Sequence, residues 1–152
     1  MYEMDLLLWI EESFIGIYIR EDPWGFPIAL SAHAVGMAMV VGVVLMMNFR
    51  VQGLIKAIPI ISYSQLFTTA WAGFIVNLIS GFALYAAHAT EYTYQVVFLM
   101  KLLLIGIGGY LMKVVMDGHR AGWPAGKVRG FSALCLACWI GAIITGRLMA
   151  YF

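Results

Sequence analysis

Long apolar runs alternate with short polar segments along this chain. Four such runs cover approximately residues 28–49, 66–88, 96–116 and 131–150. Each is close to the ~20 residues that an α-helix needs to cross the ~30 Å hydrocarbon core of a bilayer. The pattern therefore predicts an all-α protein, an integral-membrane four-helix bundle that forms one domain over residues 1–152.

The first 20 residues follow a different pattern, in which apolar residues recur at helical spacing between acids such as Glu11 and Glu12. This pattern predicts an amphipathic helix in the outer membrane interface. Alternatively, the helix packs on a partner subunit or simply covers the mouth of the bundle. Pro23 and Pro27 mark the turn into the first span, because proline fits the first turn of a helix but not its interior.

The composition supports a membrane protein and limits the functions to consider. Hydrophobic residues make up 63% of the chain and charged residues only 11%, whereas a soluble domain carries about a quarter charged residues. The net charge of +1 says nothing about nucleic acid, but the sequence shows no basic patch, and we expect no nucleic-acid partner. The sequence has no phosphate-binding loop, nucleophile triad or carboxylate pair, so it does not support hydrolytic or phosphoryl-transfer chemistry.

Basic residues are concentrated in the segments after the first and third spans. Six of the nine Lys and Arg residues lie there or, for Lys113, in the last turn of the third span: Arg50, Lys56, Lys113, Arg120, Lys127 and Arg129. Loops rich in Lys and Arg stay on the cytoplasmic side of a membrane. We therefore expect both termini to face outward, which for a protein of the bacterial inner membrane, the localisation we expect, means the periplasm.

Two histidines are the strongest indication of chemistry. His33 lies just inside the first span and His88 closes the second. Consecutive membrane helices run antiparallel, so the two imidazoles are expected at one depth near the outer face. Neutral imidazole is a natural ligand of haem iron, and helical bundles hold cofactors between facing helices. We therefore predict that His33 and His88 bind one metal, as haem iron; alternatively, they bind water or backbone carbonyls at the interface.

Small residues surround this predicted site. Gly36 follows His33 by about one helical turn, and Gly73, Asn77 and Gly81 recur at four-residue steps on the second span. Small residues would leave room for a flat macrocycle, although the same spacing is also typical of close helix packing in membranes. We expect the Asn77 amide, a polar group within hydrocarbon, to hydrogen-bond to another helix.

Three cations are predicted at the depth of the two histidines. Arg20 precedes the first span, Lys101 lies inside the third and Arg147 lies near the outer end of the fourth. Cations at this level would pair with haem propionates, since Arg binds carboxylates through paired hydrogen bonds. The alternative is that they extend to lipid headgroups or pair with nearby acids.

The remaining candidate residues are assigned structural roles. Cys135 and Cys138 form a Cys-x-x-Cys within the fourth span, where we expect them to pack as small apolar side chains. His119 is expected to be solvated in a polar loop over residues 117–130.

The run Trp24-Gly25-Phe26-Pro27 leading into His33, together with His88 at the end of span two, resembles an uncharacterised family of short four-helix bacterial membrane proteins. It is also similar to the minimal architecture of membrane b-type cytochromes. That resemblance implies one haem b and electron transfer. Larger b-type cytochromes hold two haems through four histidines, whereas this chain has one outer pair.

The sequence therefore predicts an electron-transfer subunit rather than a stand-alone enzyme. It would bind one haem b near the periplasmic face, within a lipid bilayer and in an oligomer. The electron donor would be a quinol or a partner membrane subunit, and the acceptor a periplasmic redox protein. Two alternatives are a cofactor-free membrane anchor or assembly subunit of a larger complex, and a copper or other metal-handling protein that uses His33, His88 and methionines.

Overall fold

The computed structural model describes residues 2–55, 63–149 and 151. Over these residues the chain is all-α, with helices α1 Tyr2–Glu11, α2 Phe14–Glu21, α3 Gly25–Gln52, α4 Tyr63–Ala87, α5 Ala89–Tyr94, α6 Val96–Arg120 and α7 Ala125–Leu148. Helices α3, α4, α6 and α7 are long and apolar enough to cross a membrane. The predicted class, an all-α integral membrane protein with four spans, is confirmed.

The long helices extend beyond several of the predicted span ends. The polar loop predicted over residues 117–130 is wrong, because α6 continues to Arg120 and α7 begins at Ala125. Gly122, with φ +69°, ends α6, and the Trp123 N–H bonds to the Gly118 carbonyl at 2.9 Å. A glycine with positive φ, followed by an N–H that bonds back to the last turn, is a common way to end an α-helix. His119 is therefore in the last turn of α6, where it is exposed, and not in a loop.

Two predicted features fall partly outside the described residues. One is the cytoplasmic segment predicted after the first span, because residues 56–62, which include Lys56, are not described. The other is the predicted end of the fourth span at Ala150.

The N-terminal segment forms two helices instead of the single one predicted. Ser13 is the N-cap of α2, and its Oγ accepts a hydrogen bond from the Gly16 N–H at 3.2 Å and donates one to the Ile10 carbonyl at 2.6 Å. A serine that bonds to both flanking turns competes with a continuous helix. The break at this position separates α1 from α2.

The chain forms two compact units, Met1–Val40 with Phe67–Gln95 and Val41–Leu66 with Val96–Phe152. The first unit contains α1, α2, α5, the beginning of α3 and nearly all of α4. Its small buried core includes Ile19, Ala29 and Ala87. The second unit contains the end of α3 together with α6 and α7, whose buried positions include both cysteines. The expected packing role of Cys135 and Cys138 agrees with this burial.

Candidate functional site at His33

The His33 imidazole is anchored to helix α4 within the first unit. Its Nδ1 lies 3.1 Å from the Asn77 carbonyl oxygen and 3.3 Å from the Ser80 Oγ. Because a carbonyl oxygen only accepts hydrogen bonds, Nδ1 carries the proton in this contact. In the neutral ring, the lone pair is then on Nε2.

Asn77 makes this contact reciprocal. Its Nδ2 donates to the His33 carbonyl oxygen at 2.9 Å, so one residue of each helix bonds to the backbone of the other. The expectation that Asn77 hydrogen-bonds to another helix is confirmed. Two such bonds fix both the register of α3 on α4 and the orientation of the imidazole.

The glycines beside this pair permit direct contact between the two helices. A Cβ on Gly36 would lie 2.7 Å from the Asn77 backbone nitrogen, and a Cβ on Gly73 would lie 2.5 Å from the Met39 Cβ. The expectation that these glycines leave room for a flat macrocycle is therefore wrong. Their missing side chains are replaced by the backbone of the facing helix, which is the small-residue packing of membrane helices.

His88 has different neighbours from His33. It is the N-cap of α5, where its Nδ1 lies 3.9 Å from Glu91 Oε2 and its ring packs against Tyr92. The His33 ring packs beside Gly81, about two turns of α4 before His88 and thus roughly 10 Å away along the helix axis. No contact among the described residues joins the two imidazoles, and their shared metal site stays a prediction.

Polar side chains of α1 and α2 contact α5 and the end of α4. Glu11 accepts hydrogen bonds from the Thr90 N–H at 2.7 Å and from its Oγ at 2.6 Å. Burial acts to raise the pKa of Glu11, but the Thr90 hydrogen bonds and electrostatic interactions with Arg20 and His88 hold it below its ordinary value. Arg20, predicted to pair with a propionate, is exposed and donates to the Ala87 carbonyl at 3.5 Å.

Lys101 and Arg147 belong to the second unit. The Lys101 side chain is partly buried and runs along Gly146 of α7, whose added Cβ would lie 3.4 Å from Lys101 Cε. Arg147 is exposed in the last turn of the same helix. Their predicted role as propionate partners stays a prediction.

The second unit contains a buried polar cluster that the sequence reasoning missed. Asn48 is fully buried; its Nδ2 donates to the Val44 carbonyl at 2.8 Å, and its Oδ1 accepts from the Ser132 Oγ at 2.7 Å. The same Nδ2 lies 3.6 Å from the Cys135 sulfur. Asn48, like Asn77, is an asparagine within an apolar run, and this position in the sequence could have indicated a buried hydrogen-bonded cluster.

Comparison with protein-family models, with curated proteins and with solved structures finds no match to this chain. Within the described part of the chain, no group of three or more His, Cys, Asp or Glu side chains is arranged to hold a metal ion. Among the candidate residues, His33 has the best-defined environment.

Proposed function

We propose that the chain is a membrane electron-transfer subunit that ligates one b-type haem iron through Nε2 of His33. The observation that carries the proposal is the 3.1 Å contact between His33 Nδ1 and the Asn77 carbonyl oxygen. Histidines that bind metals almost always donate their other ring N–H to a carbonyl, carboxylate or water, which fixes the tautomer and raises the basicity of the ligating nitrogen. His33 has this arrangement within a spanning helix.

The residues around His33 would each have a definite part in this function. Asn77 and Ser80 would hold the imidazole ring through their contacts with Nδ1. The Gly36–Gly73 crossing would keep α3 and α4 in contact and so limit tilting of the ring. The haem itself would supply reversible one-electron chemistry. In the predicted periplasmic half of the membrane, electrons would come from a quinol or a partner membrane subunit and pass to a periplasmic redox protein.

A cofactor-free membrane anchor or assembly subunit is the second candidate. The reciprocal pair formed by His33 and Asn77 favours it, because polar pairs that cross between membrane helices also stabilise packing alone. On this alternative, the imidazole serves only to join α3 to α4. The two functions differ in one observable property, which is the presence of bound porphyrin.

The visible spectrum of the purified full chain in mild detergent tests the proposal. We expect a Soret band that is lost in His33→Ala and partly restored by added imidazole, which can replace the missing ligand. His119→Ala is the matched control because His119 is exposed at the end of α6, and it should keep the band. Loss of the band in His88→Ala as well would support the two-histidine site.

Several results would contradict the proposal. A colourless wild-type protein that contains no porphyrin would favour the anchor function. Bound copper without porphyrin would favour the metal-handling alternative. A Soret band that is unchanged in His33→Ala would exclude His33 as the ligand.

A further inference from the structure

A cationic cleft lies at one end of the second unit, where α3 and α6 end and α7 begins. Its volume is about 400 Å³, and its lining includes Arg50, His119, Trp123 and Arg129. This end of the unit corresponds to the two segments in which most Lys and Arg residues of the sequence are found. The distribution of positive charge predicts that it is the cytoplasmic end of the spans.

Backbone turns and a cross-helix bond hold the two arginines at this cleft. Gly53, with φ +84°, turns the chain at the end of α3, and Arg50 Nη1 donates to the Ile55 carbonyl at 3.2 Å just beyond that turn. Gln52 Nε2 donates to the Arg129 carbonyl at 2.9 Å, which ties the end of α3 to the first turns of α7. The lining is therefore built by the fold and is not a chance cluster of long side chains.

Arg50, one of the residues that line this cleft, has a buried donor with no partner among the described residues. The Nε of Arg50 is buried and has no hydrogen bond among the described residues. A buried donor without an acceptor is destabilising, and more so when it is charged. Guanidinium groups offer several N–H donors in a plane that match phosphate or carboxylate oxygens.

The cleft also lacks negative charge. Asp117 is the one acid in the sequence of this unit, and neither Arg50 nor Arg129 forms an ion pair with a carboxylate among the described residues. The carbonyl ends of α3 and α6 offset part of the positive charge. They do not account for the buried Nε of Arg50, which has no acceptor in the part of the chain that the structure describes.

We propose that this cleft binds a phosphate-bearing anion through Arg50 and Arg129, with His119 and Trp123 at its wall. Because it lies where spanning helices end, the phosphate of an anionic lipid headgroup is the nearest source, and basic clefts between membrane helices are known to bind such headgroups. Free phosphate is the other source. The site does not include His33, so its test is independent of the proposed haem.

Native mass spectrometry of the full chain in a neutral detergent measures the fraction that carries phosphatidylglycerol, with phosphatidylcholine as the zwitterionic comparison. Arg50→Gln and Arg129→Gln should each raise the half-saturating phosphatidylglycerol concentration about 10-fold or more, as expected for loss of one charge-assisted hydrogen bond. Arg129 is exposed, so its substitution should not impair folding. Arg50→Lys keeps the charge but lacks the Nε donor and should bind with intermediate affinity.

Arg120→Gln is the matched control, because Arg120 is an exposed cation at the same end of α6 that does not line the cleft. It should change the half-saturating concentration less than about twofold. An equal loss in this control would overturn the proposal in favour of diffuse charge, and so would unchanged binding in both Arg50→Gln and Arg129→Gln. Competition with a large excess of inorganic phosphate separates the sources: displacement of the lipid assigns free phosphate to the site, and no displacement assigns the headgroup.

Discussion

Replacement of Gly36 by alanine tests the crossing of α3 and α4 on which the His33 environment depends. The new Cβ would lie 2.7 Å from the Asn77 backbone nitrogen and 2.8 Å from the Gly73 carbonyl oxygen. Non-bonded heavy atoms prefer about 3.5–4.0 Å, so the two helices must separate by about 1 Å. Neither contacted atom belongs to a flexible side chain, and the strain cannot be relieved by a rotamer change.

The expected cost follows from these distances. Overpacking of this kind costs about 1–3 kcal/mol. Separation by about 1 Å would also stretch the 3.1 Å contact from His33 Nδ1 to the Asn77 carbonyl beyond hydrogen-bond range, and such bonds contribute about 0.6 kcal/mol each in membranes. The higher helix propensity of alanine offsets up to about 1 kcal/mol. The net destabilisation should be about 1–3 kcal/mol.

Denaturation of the detergent-solubilised protein by sodium dodecyl sulfate, followed by circular dichroism, measures this difference. Gly42→Ala is the matched control, because Gly42 is on the same helix and an added Cβ there meets nothing within 4 Å. It should be neutral or stabilising by up to about 1 kcal/mol. Equal stability of the two variants would refute the crossing. If His33 ligates haem, Gly36→Ala should also weaken haem retention, whereas Gly42→Ala should not.

Two other contacts and the distribution of basic residues each give a further prediction. Asn48→Ala leaves the buried Ser132 hydroxyl without its 2.7 Å acceptor and should destabilise the protein by about 1–3 kcal/mol in the same denaturation assay; an unchanged midpoint would contradict the buried cluster. The lowered pKa of Glu11 means that its stabilising contribution is full above the unfolded value of 4.5 and is lost as the pH falls below it. Glu11→Gln should therefore reduce the loss of thermal stability between neutral and acidic pH, and an identical pH profile would exclude the Thr90 contact as its source. A reporter fused after Phe152 should be active only if it is a periplasmic type; activity of a cytoplasmic reporter there would reverse the orientation.

The apolar pattern by itself determined the class of protein and the centres of the four spans. Burial of apolar surface in lipid requires runs of fixed length, and these runs are visible in the sequence without any knowledge of packing. The ends of the helices could not be predicted as well from the sequence. Polar and glycine-containing residues 117–120 and 125–130 read as a loop, yet they continue α6 and begin α7, because helix ends depend on local bonds such as the one between Trp123 and Gly118.

The sequence also singled out His33 and Asn77 but could not establish how they are used. A polar residue in an apolar run indicates a partner, and the partner is chosen by helix register and approach distance, which are tertiary properties. The structure assigned the Asn77 carbonyl to His33 and placed His88 beside Glu91. It also filled the glycine face with a second helix. A glycine looks the same in the sequence whether a cofactor or a neighbouring backbone occupies the space beside it. Only the packing of α3 on α4 distinguished these two possibilities.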